Sequence, residues 1–125
     1  MAKAPDPFHE FVLELLSGAG VINIRRMFGG AGVYQDGVMF ALLSDDQIYV
    51  KVDTALRADL LAEGGAPFLY LRSSDAKPID LGYVSLPSSA MDDADEAAVW
   101  ARRALSVARA AKAKSPPKKR RSKPG

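Results

Sequence analysis

The segment RRMFGGAGVYQDGVMFALL, residues 25–43, holds the residues best suited to binding a phosphate group. It has three glycines within four positions, Gly29, Gly30 and Gly32, soon after two arginines. Glycine-rich loops hold phosphates when a strand leads into the glycines and a helix begins directly after them, because the free amides at the helix start point at the ligand. These residues could therefore form a nucleotide-binding loop.

The residues after the glycines argue against phosphate binding. A Val-Tyr pair, a Gln-Asp-Gly turn and the apolar run VMFALL follow, and this pattern indicates more strand instead of a helix. The spacing matches neither the dinucleotide motif nor the triphosphate loop, which needs Gly-Lys-Ser or Gly-Lys-Thr. Glycine within a strand is typical of a bend, a bulge or a close backbone approach. We therefore predict structural roles for Gly29, Gly30, Gly32 and Gly37.

The other reactive side chains form no catalytic or metal-binding pattern. His9 is the sole histidine, and without cysteine the chain has no thiolate nucleophile, disulfide or thiolate metal site. The acidic pairs at 45–46 and 92–93 fall at a predicted turn and a predicted helix start, where Asp makes local hydrogen bonds. Neither pair has the ligand spacing of a calcium loop. The sequence predicts no catalytic residue, no metal site, no cofactor and hence no enzyme.

Charge divides the sequence into an acidic body and a basic tail. Residues 112–125 carry seven basic side chains, three prolines and no acidic residue. Residues 1–111 carry ten basic and fifteen acidic side chains, a net charge of −5. A segment with so few large apolar residues buries too little surface to offset the entropy lost on ordering. We therefore predict a globular domain over residues 1–111 and a disordered tail over residues 112–125.

The composition of the tail predicts non-specific contact with DNA. Flexible lysines and arginines neutralise phosphates and release counterions, and the Ser-Pro-Pro-Lys-Lys sequence at 115–119 is similar to short basic arms of chromatin proteins. The same composition also suits a tail that only keeps the protein in solution, so both interpretations stay open. The candidate DNA-binding residues are Lys118, Lys119, Arg120, Arg121 and Lys123.

Periodicity and turn residues predict an α+β fold with one core. A chain of 125 residues that is 48% hydrophobic is long enough to bury such a core. Short turns between consecutive strands favour an antiparallel sheet, and strands that occur in groups favour α+β over a doubly wound fold. Helices are predicted at residues 7–16, at 55–63 and from 91–95 to 111, and strands at 25–34, 38–43, 47–52, 67–72 and 79–86.

A group of residues in the first half of the chain resembles the amino-terminal domain of the TfoX/Sxy family. The resemblance covers roughly residues 8–110 and is most specific in the block from MFGG to KVD. It rests on Arg26 to Gly30, Gly32, Tyr34, Asp36-Gly37, Met39 to Leu42 and Ile48 to Asp53, with Pro67-Phe68, Tyr83, Pro87 and the segment from Trp100 to Leu105 at comparable places.

This resemblance implies both a fold and a function. The family fold is a two-layer arrangement similar to secretion chaperones, in the order helix, three strands, helix, two strands, helix. Its named members regulate competence genes beside a transcription factor at promoters, and they usually carry a second, carboxy-terminal domain that this sequence does not include. A transcription factor or another protein is therefore an expected partner, with DNA as a further one.

A second class of function is a module that binds a protein or a small ligand. Its candidate contact surface is the strand surface around Arg25, Arg26, Tyr49 and Lys51. The sequence has neither the apolar core of a signal peptide nor an apolar run long enough to cross a bilayer, so we expect a cytoplasmic protein without a membrane partner. The oligomeric state is open, a dimer included.

Overall fold

The computed structural model describes residues 6–27, 30–71 and 77–114. These residues form four helices and six strands, with one 3₁₀ turn at Ser17–Ala19. In chain order they are α1 (Pro7–Leu15), β1 (Asn23–Met27), β2 (Gly30–Gln35), β3 (Val38–Ser44), β4 (Gln47–Lys51), α2 (Thr54–Ala62), β5 (Pro67–Tyr70), β6 (Ile79–Ser85), α3 (Ser88–Met91) and α4 (Ala94–Lys114).

The six strands form one antiparallel sheet in the order β1-β2-β3-β4-β6-β5, which confirms the α+β class. The strand predicted at 25–34 is in fact two strands, because β1 and β2 pair with each other and Met27 lies opposite Gly30. The connecting residues, Phe28 and Gly29, lack the Asn-Gly or Asp-Gly signature of a two-residue hairpin. For this reason the sequence does not show that the segment is divided into two strands. The short helix α3 was not predicted either.

Two hairpin turns fix the register of the middle strands. Asp36 and Gly37 connect β2 to β3 with φ angles of 52° and 79°, and Asp45 and Asp46 connect β3 to β4 with 52° and 57°. Positive φ at both central residues is the requirement of the type I′ turn, whose twist matches that of the flanking strands. Asp-Gly satisfies this requirement readily, whereas Asp-Asp does so at some cost in backbone strain.

Aspartates cap three of the helices. Asp6 accepts a hydrogen bond from the backbone N–H of Phe8 at the start of α1, and Asp53 accepts one from Leu56 in α2. Asp93 accepts from the N–H groups of Asp95 and Glu96 at the start of α4. Each cap satisfies amides that the helix itself leaves unpaired, so these helices begin close to the predicted positions.

All four helices contribute to one core on a single side of the sheet. Helix α4 packs on β3 and β4, α1 packs on α4, and α2 packs on β6. The stripe that α4 presents to the sheet consists mainly of alanines, and small residues allow the helix backbone to come close to the strands. The buried residues of the core include Val33, Phe40, Ala41, Leu43, Ile48, Val50 and Val84 of the sheet, and Ala97, Ala101, Ala104, Leu105 and Ala108 of α4.

Helix α4 continues to Lys114, three residues beyond the predicted end of the domain. Alanine and lysine are good helix formers, and cations are favourable at the carboxyl end of a helix. The remainder of the predicted tail, residues 115–125, lies outside the described residues, and its separation as a disordered segment stays a prediction. No helix in the described part of the chain is long and apolar enough to span a membrane.

Candidate functional site

The side of the sheet that faces away from the helices is the main candidate for a binding surface. Residues paired directly across antiparallel strands point to the same side, so the strand register defines this side. Arg25 lies opposite Gly32, Gly32 opposite Leu42, Leu42 opposite Tyr49, and Tyr49 opposite Ser85. We call this side of the sheet the open face, because all the packed helices of the described chain lie on the other side.

A groove of about 630 Å³ runs along the open face. Met27 of β1 and Tyr70 of β5 both line it, although these strands are the two opposite edges of the sheet. Residues from both edges can share one groove only if the sheet curves, so the open face is concave. The large side chains that line the groove are Met27, Met39, Leu42, Phe68, Tyr70, Ile79, Leu81 and Tyr83.

A glycine with a positive φ angle, Gly82, lies within β6, the strand whose residues Ile79, Leu81 and Tyr83 line this groove. The φ angle of Gly82 is 81°, a region that residues with a side chain seldom adopt. The Asp80 carboxylate accepts a hydrogen bond of 2.9 Å from the Gly82 N–H, and its other oxygen lies 2.9 Å from Nη1 of Arg57 in α2. The bond from Gly82, assisted by Arg57, lowers the pKa of Asp80, although desolvation acts in the opposite direction.

Gly30 and Gly32 of β2 have different structural roles. A Cβ atom on Gly30 would lie 2.3 Å from the carbonyl oxygen of Leu43, so the neighbouring backbone comes too close for a side chain. A Cβ on Gly32 would point into the open face, 2.9 Å from the Tyr34 ring and 3.1 Å from the side-chain ends of Met27 and Met39. Neither glycine precedes a helix, unlike the glycines of a phosphate loop. Gly29 lies outside the described residues.

Aromatic rings and two cations lie side by side on the open face. The Arg25 guanidinium lies 5.3 Å from the centre of the Tyr34 ring, and the Lys51 ammonium lies 5.3 Å from the centre of the Tyr83 ring. These distances are within the range of cation–π attraction. Burial, followed by the electrostatic effect of Tyr34, raises the pKa of Tyr83, so its hydroxyl stays a neutral hydrogen-bond donor at physiological pH.

The four residues of the candidate partner-binding surface do not all meet. Arg25, Tyr49 and Lys51 share the open face, and the Tyr49 ring packs edge-on against Phe68 at 5.0 Å. Arg26 points to the opposite side, since it lies across from the buried Ala31. There it lines a separate polar pocket of about 530 Å³ with Asp6, His9, Asp45 and Asp46.

This polar pocket has no evident catalytic arrangement. His9 is partly buried, and its Nε2 lies 3.7 Å from a carboxylate oxygen of Asp6, a residue that also caps α1. No group of three or more potential metal ligands occurs among residues 6–27, 30–71 and 77–114. The pocket therefore offers polar contacts without an arranged nucleophile, acid and base.

Sequence reasoning missed the apolar lining of the groove, although a signal for it exists. The run VMFALL is apolar at every position, so a strand there presents apolar side chains to both sides of the sheet. Ile79, Leu81 and Tyr83 alternate along β6 and likewise face the groove. The candidate DNA-binding residues, Lys118 to Arg121 and Lys123, lie outside the described part of the chain.

Comparison with known proteins identifies the family of this domain. The family model for the TfoX N-terminal domain matches residues 14–108. A curated relative, the DNA transformation protein TfoX1 of Aliivibrio fischeri, is 37% identical over 51 residues. That alignment covers 41% of this chain and 22% of the relative, so the chain spans about a fifth of the relative's length. Because the family model covers most of the chain, this protein belongs to the TfoX N-terminal domain family.

Proposed function

We propose that this protein is a non-enzymatic regulatory protein that binds a protein partner on the open face of its sheet. The observation that supports this proposal is the concave apolar groove, which no described element of the chain covers. Several of its lining side chains are exposed to solvent, among them Tyr70, Ile79 and Leu81. Contiguous exposed apolar surface of this kind usually marks a binding site in a soluble protein.

The family gives the biological context of this proposal. A relative bears the name DNA transformation protein, so we propose that this chain acts in the regulation of competence for DNA uptake, inside the cytoplasm. Within this proposal the partner is a protein of the transcription apparatus or one that controls it. The groove supplies contact area for such a partner, and the concave shape supplies specificity.

A matched pair of substitutions tests partner binding. Leu81→Glu places a charge in the groove, whereas Val99→Glu places the same charge on the outer side of α4, and the two wild-type side chains are similarly exposed, at 42% and 49%. The two variants and the wild type are used to capture proteins from cell extract with and without nuclease. A specific protein that survives nuclease should be captured by the wild type and Val99→Glu, and lost with Leu81→Glu. Equal capture by all three proteins would contradict the proposal.

Association with DNA through the basic tail is a second candidate function. It is favoured by five cations within residues 118–123, with no acidic residue after Glu96. The body has a net charge of −5 and repels phosphate on average, so the tail has to supply any general affinity. If the tail only solubilises the protein, the groove remains the functional surface, and the salt dependence of DNA binding separates these two cases.

A further inference from the structure

We infer that the open face binds an acidic segment of a partner protein, one that carries large apolar side chains between its carboxylates. The inference rests on the proposed function, and it adds the chemical class of the partner. Three observations support it: the distribution of charge over the strands, the side chains of Arg25 and Lys51, which form no ion pair within the described residues, and the apolar lining of the groove.

The open face has the opposite charge to the rest of the body. Asp80 is the only carboxylate within the six described strands, and its side chain meets Arg57 of α2 on the helix side of the sheet. Arg25 and Lys51 both lie on the open face. An excess of acidic residues elsewhere gives the body its net charge of −5, so this face is a basic, apolar patch on an acidic domain. Complementary charge steers and orients a partner, and here the complement is negative.

The two cations are available to pair with a partner's carboxylates. Neither Arg25 nor Lys51 forms an ion pair within the described part of the chain. Each lies beside a tyrosine ring, and a cation over the face of a ring keeps its N–H donors at the sides and the outer surface. A carboxylate that binds there is partly shielded from water by the tyrosines and by the partner, which strengthens the attraction.

The groove supplies the apolar half of the recognition. Met27 and Met39 both line it, and methionine is flexible and polarizable, so it adapts to different apolar side chains. Because Gly32 has no side chain, Met27, Met39 and Tyr34 can come together above its Cα; a Cβ there would lie 2.9 Å from the Tyr34 ring and 3.1 Å from each methionine. A volume of about 630 Å³ lies within the range of sites that enclose bulky apolar groups.

A second copy of this chain is a poorer occupant than an acidic segment. A two-fold symmetric interface pairs a patch with the same patch on the other subunit. Two open faces in contact would therefore bring two copies of Arg25 and Lys51 into one interface, while the described strands provide no carboxylate on that face to neutralise them. Self-association thus lacks the charge complementarity that an acidic partner has.

Peptide display tests the inference directly. A library of random peptides is selected on the full-length wild-type protein, and in parallel on Leu81→Glu, in buffer of physiological salt. Because both proteins carry the same basic tail, peptides that bind only the tail are enriched equally and are removed by the comparison. We expect the wild type alone to enrich peptides in which Asp or Glu alternates with Leu, Phe, Trp or Met.

A synthetic peptide of the enriched sequence then measures the charge contribution. Lys51→Glu should weaken its binding about tenfold, because an attractive charge pair becomes repulsive. A peptide with Lys in place of its acidic residues should recover binding to Lys51→Glu. Lys112→Glu, on the exposed surface of α4, and Val99→Glu are the matched controls and should bind like the wild type. If Leu81→Glu does not fold, Tyr70→Glu replaces it.

The outcomes separate the inference from the proposed function. If the wild type enriches basic or uncharged apolar peptides, or no peptide that Leu81→Glu fails to enrich, then the open face does not bind an acidic segment. The capture experiment still decides whether the open face binds a protein partner. A concentration-dependent dimer of the wild type that Leu81→Glu dissociates overturns the inference in favour of a second copy. Face-dependent binding of an apolar small molecule without peptide enrichment overturns it in favour of a ligand.

Discussion

At the scale of single residues, two glycines of β2 are required for different physical reasons. Gly30 lies where the backbone of β3 approaches β2, and Gly32 lies on the open face among flexible side chains. The sequence predicts that glycines in this segment serve the backbone, but only the fold distinguishes a close approach of backbone at Gly30 from close packing of side chains over Gly32. Phe28 and Gly29, between β1 and β2, are outside the described residues.

Substitution of Gly30 should therefore be much more costly than substitution of Gly32. Gly30→Ala forces the Leu43 carbonyl to move, and we expect the free energy of unfolding to fall by about 1 to 3 kcal/mol. Gly32→Ala meets only the ends of the Tyr34, Met27 and Met39 side chains, which can rotate away, so a smaller loss is expected. Urea denaturation of both variants measures the difference, and equal losses would refute the distinction.

The Asp45-Asp46 turn should be open to stabilisation. Both residues have positive φ angles, and the turn type favours Asn-Gly. The double substitution Asp45→Asn with Asp46→Gly relieves backbone strain and removes two adjacent like charges, so we expect a gain of about 0.5 to 1 kcal/mol. Thermal unfolding monitored by circular dichroism detects such a gain as a higher Tm. A lower Tm would show that the aspartates make stabilising contacts instead.

At the scale of elements, the sequence predicts the helices and most strands because their signals are local. Capping aspartates, apolar periodicity and Asp-containing turns all act within a few residues of one another. The division into β1 and β2 escaped prediction because Phe28 and Gly29 between them carry no such signal, and the bulge between Val33 and Tyr34 depends on strand pairing. The packing of α4 on β3 and β4 likewise depends on residues far apart in sequence.

Gln35 connects three elements that the sequence does not show to be neighbours. Its side-chain amide donates to the carbonyl of Ala19 at 2.6 Å and accepts from Arg109 of α4, and only 9% of the residue is exposed. Gln35→Ala leaves the Ala19 carbonyl without this partner, so we expect a loss of about 1 to 3 kcal/mol in urea denaturation. Arg109→Ala should cost less, because that side chain is 49% exposed. A Gln35→Ala variant as stable as the wild type would contradict this role.

Asp80 should make part of the stability depend on pH. Its pKa is lowered in the folded protein, first by the Gly82 hydrogen bond and second by Arg57. The carboxylate therefore stabilises the fold above its unfolded pKa of about 4, and this contribution is lost as the pH falls through the lower folded pKa. The side chain is 38% exposed, so solvent screening limits the effect to about 0.5 kcal/mol.

Comparison of the wild type with Asp80→Asn across pH tests this contribution. The wild type should be more stable at pH 7 and pH 5, and the difference should shrink as the pH falls below about 4. Arg57→Ala should retain most of the pH dependence, because the larger cause is the hydrogen bond from Gly82. If the stability difference between the wild type and Asp80→Asn stays constant down to pH 2, the substitution acts through packing and not through the charge of Asp80.

At the scale of the whole molecule, the candidate site arises from the curvature of the sheet. Arg25, Arg26, Tyr49 and Lys51 were predicted as one strand surface, and three of them, all but Arg26, lie on the open face. The groove itself could not be predicted, because residues of β1 and β5 line it together only after all six strands have paired. Arg26 follows Arg25 directly in the sequence but points to the other side of the sheet, because successive side chains of a strand alternate between the two sides.

The division of charge between the body and the tail leads to a prediction for DNA binding. Because α4 is described up to Lys114, the segment to remove is 115–125, which contains five cations. We expect the full chain to bind duplex DNA weakly and without sequence preference. If three to five phosphates are neutralised, the slope of log affinity against log salt should be roughly −3 to −4.5, at about 0.9 per phosphate.

A chain that ends at Lys114 should lose this binding and keep its far-ultraviolet circular dichroism spectrum, because the described core lies wholly before that residue. Fluorescence anisotropy with a labelled duplex, measured over a range of salt concentrations, gives both the affinity and the slope. If the shortened chain still binds, the acidic body must hold a local site, and Arg25→Glu and Lys51→Glu would then test whether the open face contacts phosphate. If the full chain does not bind even at low salt, the tail serves solubility, and the groove alone accounts for the function of the protein.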